Sequence, residues 1–339
     1  MSNSSLLSQT RPARPSSTTF PITILTLCCL FWGFSFPAMQ ISASSFEKAL
    51  ETASAHTPGT RGELASRCIF NAWRFALATT CYFLLTFPRQ CHFTRADFVG
   101  GSAVGLTFCV GILLQLIGLR YTLPSTSSFL TALSVIFAPL AQAILLRRPL
   151  GLRTSIAALI ALFGMLILSQ PNPHANTPQT IAETPPIPHL GEILTIIGSL
   201  LFTSQILAID HFGQSADATR LTLIMLLITC LFSLIFGLTL GGARFHRAPV
   251  FSLLLHDKSF LACFAGLALL SSMLSQYLMN RYQPLVSPAT AAVVYCLEPL
   301  FGTLFSVAFA TERLSAVTLL GGSIILLAVL LVAKSSRPS

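Results

Sequence analysis

Charge is what this sequence has least of. Asp, Glu, Lys and Arg make up 9% of its 339 residues, against roughly 25% in a soluble domain, while 53% are hydrophobic and the mean hydropathy is +0.75. A water-soluble fold of this length cannot hide so much apolar surface. No C-x-x-C occurs, and Cys28, Cys29, Cys81, Cys109, Cys230, Cys263 and Cys296 lie inside apolar runs, so they read as small buried hydrophobes rather than a disulfide framework or metal site. H-E-x-x-H, G-x-S-x-G and the P-loop are also missing, and His211 stands alone at a helix end. Catalysis, a metal and a cofactor are therefore not expected. The net charge of +9 sits on Lys and Arg scattered singly or in short groups between apolar runs, which excludes a phosphate-binding face and a nucleic-acid partner.

What is present is a series of ten long apolar runs, near residues 21–41, 68–87, 98–119, 123–146, 150–169, 190–210, 218–240, 259–280, 286–309 and 315–333. A hydrocarbon core of about 30 Å needs roughly 20 apolar residues per helix and tolerates no unpaired backbone, so each run is read as a transmembrane helix. The first is too long for a signal-peptide core, so it is read as an uncleaved span despite Arg11 and Arg14 before it. Residues 170–188, rich in Pro, Thr and Asn and free of Lys and Arg, form a polar connector. Long loops are expected over 42–67 and 241–258. Lys and Arg in short segments favour both termini in the cytoplasm, most clearly in the first half. The expected location is the cell (inner) membrane.

Sliding the chain along itself by 164 residues sets Pro124 beside Pro288, Leu133 beside Leu297, Phe137 beside Phe301 and Leu140 beside Leu304. Each segment reads as a helix, a short turn (Arg147–Leu150 and Thr311–Leu314) and a second helix. The expected fold is an all-α integral membrane protein of ten transmembrane helices built as two inverted five-helix repeats. Its parts are a tail over 1–20, a first repeat over 21–169, a connector over 170–189, a second repeat over 190–333 and a tail over 334–339. Five being odd, the halves cross in opposite senses, which is the plan of secondary transporters with substrate near the midplane.

Several segments resemble the EamA-type proteins of the drug/metabolite transporter superfamily: Leu30-Phe31-Trp32-Gly33-Phe34-Ser35-Phe36, Ala72-Trp73-Arg74-Phe75, Val286-Ser287-Pro288-Ala289-Thr290-Ala291-Ala292, Leu297-Glu298-Pro299-Leu300-Phe301 and Glu312-Arg313-Leu314. The resemblance covers about residues 20 to 334. The first half departs from the pattern, with Val135 where Pro is expected and Arg148 where Glu is usual. The resemblance implies a ten-helix carrier of small solutes, among them amino acids, nucleotide-like metabolites such as S-adenosylmethionine, nucleotide-conjugated sugars, or drugs. A channel or lipid scramblase is the alternative.

Glu298 is the sharpest candidate for the solute pathway. It falls near the middle of its run, where a charge is costly, so it should face protein or a water-filled cavity. It suits proton coupling or pairing with a cationic solute; equally, it would accept backbone N–H groups freed beside Pro299. Trp32, mid-run, either stacks on a solute or packs, and Phe36 of the same motif is grouped with it. Arg74 reads by default as snorkelling to a nearby outer boundary, with an anion site or a pairing with Glu298 as the alternatives. Trp73 reads as aromatic belt. Gln115, Gln142, Gln205 and Gln276 either line the pathway or bridge helices, and Tyr295, one turn before Glu298, either joins that cavity or packs. The pairs Gly101/Gly105 and Gly237/Gly241 permit close helix contact within the bundle or between two copies of the chain.

Overall fold

The computed structural model describes residues 19–54, 60–87, 92–118, 121–122, 124–168, 170, 188–240, 248–309 and 316–334. Most of the connector, the chain ends, the 311–314 turn and Gly241 lie outside the described residues, as does the side chain of Phe36. The helices run α1 (Thr19–Ser54), α2 (Thr60–Thr86), α3 (Arg95–Gly118), α4 (Pro124–Thr131), α5 (Ser134–Ile144), α6 (Leu152–Leu168), α7 (Leu190–Phe212), α8 (Ala218–Thr239), α9 (Ala248–His256), α10 (Lys258–Gly266), α11 (Ser275–Tyr282), α12 (Pro288–Tyr295), α13 (Leu297–Ala308) and α14 (Ala316–Lys334). A π-helical segment, Leu267–Leu274, joins α10 to α11 without a break.

Among the described residues, seven spans are long and apolar enough to cross a membrane, and three shorter apolar helices cover Phe129–Ile144, Leu152–Leu168 and Leu319–Ala333. The outer surface is hydrocarbon: Leu84, Leu85, Ile144 and Leu152 are each more than two-thirds exposed. Such a surface is a liability in water and matched by lipid, so the chain is a multi-pass membrane protein.

Side chains start several helices by accepting the first free N–H groups. Asp217 Oδ1 accepts from Thr219 N at 2.9 Å and Arg220 N at 3.2 Å, Asp257 Oδ1 from Phe260 N at 3.0 Å, and Ser287 Oγ from Thr290 N at 3.1 Å. Pro288 then occupies the first turn of α12, where its missing N–H costs nothing. Between α12 and α13 the helix breaks at Cys296. Pro299 supplies the reason, because it has no N–H for the carbonyl of Tyr295 and its ring crowds that same carbonyl. The α4–α5 break is bridged by tighter turns, Val135 N to Ala132 O at 3.0 Å and Ile136 N to Leu133 O at 2.8 Å.

Helices of the two halves lie against one another: α1 along α13, α2 along α8, α3 along α7 and α8, and α6 along α14. Their glycines are spent inside the bundle. A Cβ on Gly164 would meet Gly321 O at 2.9 Å, and one on Gly101 would meet Ile224 Cβ at 2.6 Å. Gly101, Gly105 and Gly237 thus serve contacts within one chain rather than a dimer face.

Two expected loops are largely helical. α1 continues to Ser54, and at 1.5 Å per residue its 36 residues reach about 54 Å, well past a 30 Å core. Its far end buries Phe46 and Ala49 against Val250 and Leu254 of α9, forming a second apolar cluster with Phe70 and Phe260. Apolar residues at three-residue spacing among Ser, Glu and Lys carry this helix beyond the lipid. Ser45 Oγ donates to Asp257 Oδ2 at 2.7 Å across the same junction, and with the Phe260 N–H this holds the Asp257 carboxyl below the usual carboxylate range. Trp73 packs edge-on to Phe46, ring centroids 5.5 Å apart, so it belongs to this cluster rather than to a lipid belt.

Two of the scattered cations are ion-paired. Arg220 Nε meets Asp97 Oδ2 at 2.7 Å, with the Asp97 side chain fully buried, and the Asp217 N–H donates to Asp97 Oδ1 at 2.8 Å. Arg148 Nη1 meets Asp210 Oδ2 at 2.6 Å. Asp97→Ala leaves the Arg220 guanidinium and two backbone N–H groups, those of Thr94 and Asp217, without their carboxylate. Thermal unfolding of the purified protein should show a loss of about 2–3 kcal/mol, discounted from the fully buried case because Arg220 keeps some solvent.

Candidate functional site

The site grows from the broken helix. Gly33 of α1 lies directly on α13: a Cβ there would meet Phe301 Cβ at 2.5 Å and the backbone at Gly302 N and Phe301 C at 2.7 Å. Only hydrogen fits, and this close crossing sets the neighbouring Trp32 beside the break. Its ring stands edge-on to Tyr295, centroids 5.3 Å apart and planes at 67°. Tyr295 Oη donates to Gln283 Oε1 at 3.1 Å, and Gln283 Nε2 donates to Ile206 O at 2.7 Å, tying α12 to α7. Three residues later comes Glu298.

Glu298 is the eleventh residue of the 21-residue span Pro288–Ala308. Its side chain is half-buried, and among the described residues it has no hydrogen-bond or ion-pair partner. The backbone N–H groups beside Pro299 do not cap it, so the structural reading of this carboxylate is not realised. It stands in the first turn of α13, where the helix dipole favours negative charge.

Arg74 lies elsewhere than expected. α2 begins at Thr60 and its apolar span at Leu64, so Arg74 is the eleventh of 23 residues, mid-membrane rather than near a boundary. It is 3% exposed and does not snorkel. Nε donates to Ser272 Oγ at 2.6 Å and Nη2 to Ser271 Oγ at 3.0 Å, both on the π segment. Among the described residues no ion pair joins Arg74 to Glu298, and Arg74 Nη1 has no partner.

The amides divide. Gln205 Nε2 faces Gln276 Oε1 at 3.5 Å, joining α7 to α11, and both are buried. Gln115 Nε2 donates to Thr131 Oγ1 at 2.9 Å beside the α4–α5 break, and Gln142 Oε1 accepts from Ala289 N at 3.2 Å. Gln115 is thus bonded away from the Trp32–Tyr295 group. Gln283, Ser271 and Ser272 escaped the sequence reading, although the two serines are polar residues inside the 259–280 run; Gln283 falls between that run and the next. Buried Asn71 and Asn280 escaped it too; they bond Ser233 and Thr222 on α8, each at 2.9 Å.

A broken helix carrying an unpartnered carboxylate at mid-depth is a feature of solute carriers. The sequence model of the EamA-like transporter family matches residues 62–170 and again residues 189–334. The chain belongs to the EamA-like transporter family. A protein of Archaeoglobus fulgidus described as an "Uncharacterized transporter" is 26% identical over 310 residues, covering 91% of this chain and 84% of that one. A protein of known crystal structure superposes with a TM-score of 0.63 over 94% of this chain and 98% of its own at 14% identity, a likeness of fold alone. Membership of the EamA-like family makes this chain a membrane transporter.

Proposed function

We propose that the chain is a secondary carrier that moves a small organic solute across the cell membrane by alternating access, with the solute held near the midplane between two halves of five helices each. The observation that carries this reading is Glu298: a half-buried carboxylate at mid-depth, in a broken helix, with no partner among the described residues. An intramembrane ionisable group in that state has its role in the transported ligand or in a proton.

Packing and helix breaks support opposed halves. α4 and α12 each span eight residues and start and stop 164 positions apart, so both halves interrupt the same helix at the same point. The contacts are also related by exchanging each crossing with the one five places later. The contact of α3 with α7 becomes that of α1 with α10 and α11, and the contact of α3 with α8 becomes that of α2 with the π segment; both occur. Ten crossings with cytoplasmic termini follow if the three shorter apolar helices also cross.

Counterflow in proteoliposomes tests the reading. Preloading unlabelled solute should accelerate uptake of the labelled solute several-fold. Uptake indifferent to preloading, as in a channel or scramblase, contradicts it.

A further inference from the structure

We propose that Arg74 is the docking group for a carboxylate on the transported solute. The inference rests on the carrier reading and adds the chemical class of one end of the solute.

A guanidinium presents two edges suited to paired acceptors. In Arg74 the edge formed by Nε and Nη2 is taken by the hydroxyls of Ser272 and Ser271. These are neutral acceptors, and the Phe75 ring centroid lies 5.4 Å from Arg74 Cζ; together they orient the group, and among the described residues no carboxylate neutralises its charge. Nη1 is buried and without a partner among the described residues, so the end-on edge it forms with Nη2 is the one left for a ligand. Arg74 is the eleventh of 23 residues of its span, and Ser271 and Ser272 are the fourteenth and fifteenth of the 28-residue span Lys258–Leu285. The group is therefore held near the middle of its span, where a lone cation is costly. An arrangement built only for packing would neutralise that charge with a protein carboxylate, as Asp97 does for Arg220.

The local helix geometry fits a binding role. The segment bearing both serines is π-helical, and Ser275 Oγ donates five residues back to Leu270 O at 2.8 Å. π turns inside α-helices are rare and frequently found at functional sites. Here the wider turn carries two successive hydroxyls that both reach Arg74. α1 meets the same stretch, with Cys28 Sγ and Ser275 O 3.6 Å apart, so Arg74 belongs to the region where α1 and α2 converge with the π segment. A planar oxyanion with two oxygens on one face, such as a carboxylate, matches the free end-on edge.

The test compares acids with their amides, which keep shape and lose charge. The probes are benzoate and benzamide, L-phenylalanine and its amide, and succinate and succinamide. Each is titrated against thermal unfolding of the purified full chain, for wild type, Arg74→Gln and Arg74→Lys. At least one acid should raise Tm in wild type at a concentration at least about tenfold lower than its amide. That preference should vanish in Arg74→Gln and persist weakened in Arg74→Lys, which keeps a point charge without the fork. Should Arg74→Gln not fold, the wild-type comparison and Arg74→Lys still decide. Amides as effective as acids, no stabilisation by any acid, or an intact acid preference in Arg74→Gln would overturn the anion site. Counterflow of a neutral or cationic solute that Arg74→Gln leaves unchanged would also overturn it while the carrier reading stands. Absence of counterflow with every solute strikes the carrier reading itself.

Discussion

Glu298→Gln should lower the initial rate of counterflow by about 30-fold or more while moving thermal stability by less than about 1 kcal/mol. Removing one partner from a desolvated charge pair costs about 2–5 kcal/mol, which converts to tens to thousands of fold in rate or affinity. That loss falls on the ligand or proton, because among the described residues nothing in the protein pairs with this carboxylate. The amide has the same shape, so packing around the break is kept. A carboxylate that served to cap the backbone at Pro299 would give the opposite split, with lost stability and near-normal transport of whatever folds. Measuring Tm and counterflow on the same preparations separates the two.

Gly33→Val should be as damaging for a different reason. The nearest atoms to a new Cβ include Gly302 N and Phe301 C at 2.7 Å, which are backbone and cannot rotate away. α1 must then move off α13, costing about 1–3 kcal/mol of overpacking and displacing Trp32 from Tyr295. Loss of Tm should accompany loss of transport, and Gly33→Ala should show both in smaller measure. Gly151→Ala is the control, since the nearest atom to its Cβ is Thr154 Oγ1 at 3.8 Å. Equal tolerance at the two glycines would mean that the α1–α13 crossing is not the close contact described.

Much of the site was legible in the chain because its signals are local. Apolar runs, the Trp32-Gly33 pair and a carboxylate beside Pro299 each depend on neighbouring residues, and the physics of lipid turns them into helices and a break. Arg74 was misread because Arg67 and Glu63 looked like loop residues; with helix α2 reaching back to Thr60, the same arginine moves to mid-membrane. Its serine partner Ser272 is 198 residues away in the chain, and no periodicity announces such a pairing. The long extension of α1 beyond the lipid was hidden likewise, since its support comes from packing on α9, distant in the chain. Local patterns therefore located the helices and the break, and only packing revealed which polar groups are left without partners among the described residues.

The central claim is that position 298 lies in a solute pathway opened in turn to each side of the membrane. Two-sided labelling of Glu298→Cys tests it most directly, in a chain whose nine native cysteines are replaced, using a membrane-impermeant maleimide applied to right-side-out and inside-out vesicles. An alternating-access carrier predicts labelling from both faces, with conditions that raise the rate from one face lowering it from the other. Labelling from one face alone, or rates that rise together on both, would contradict it.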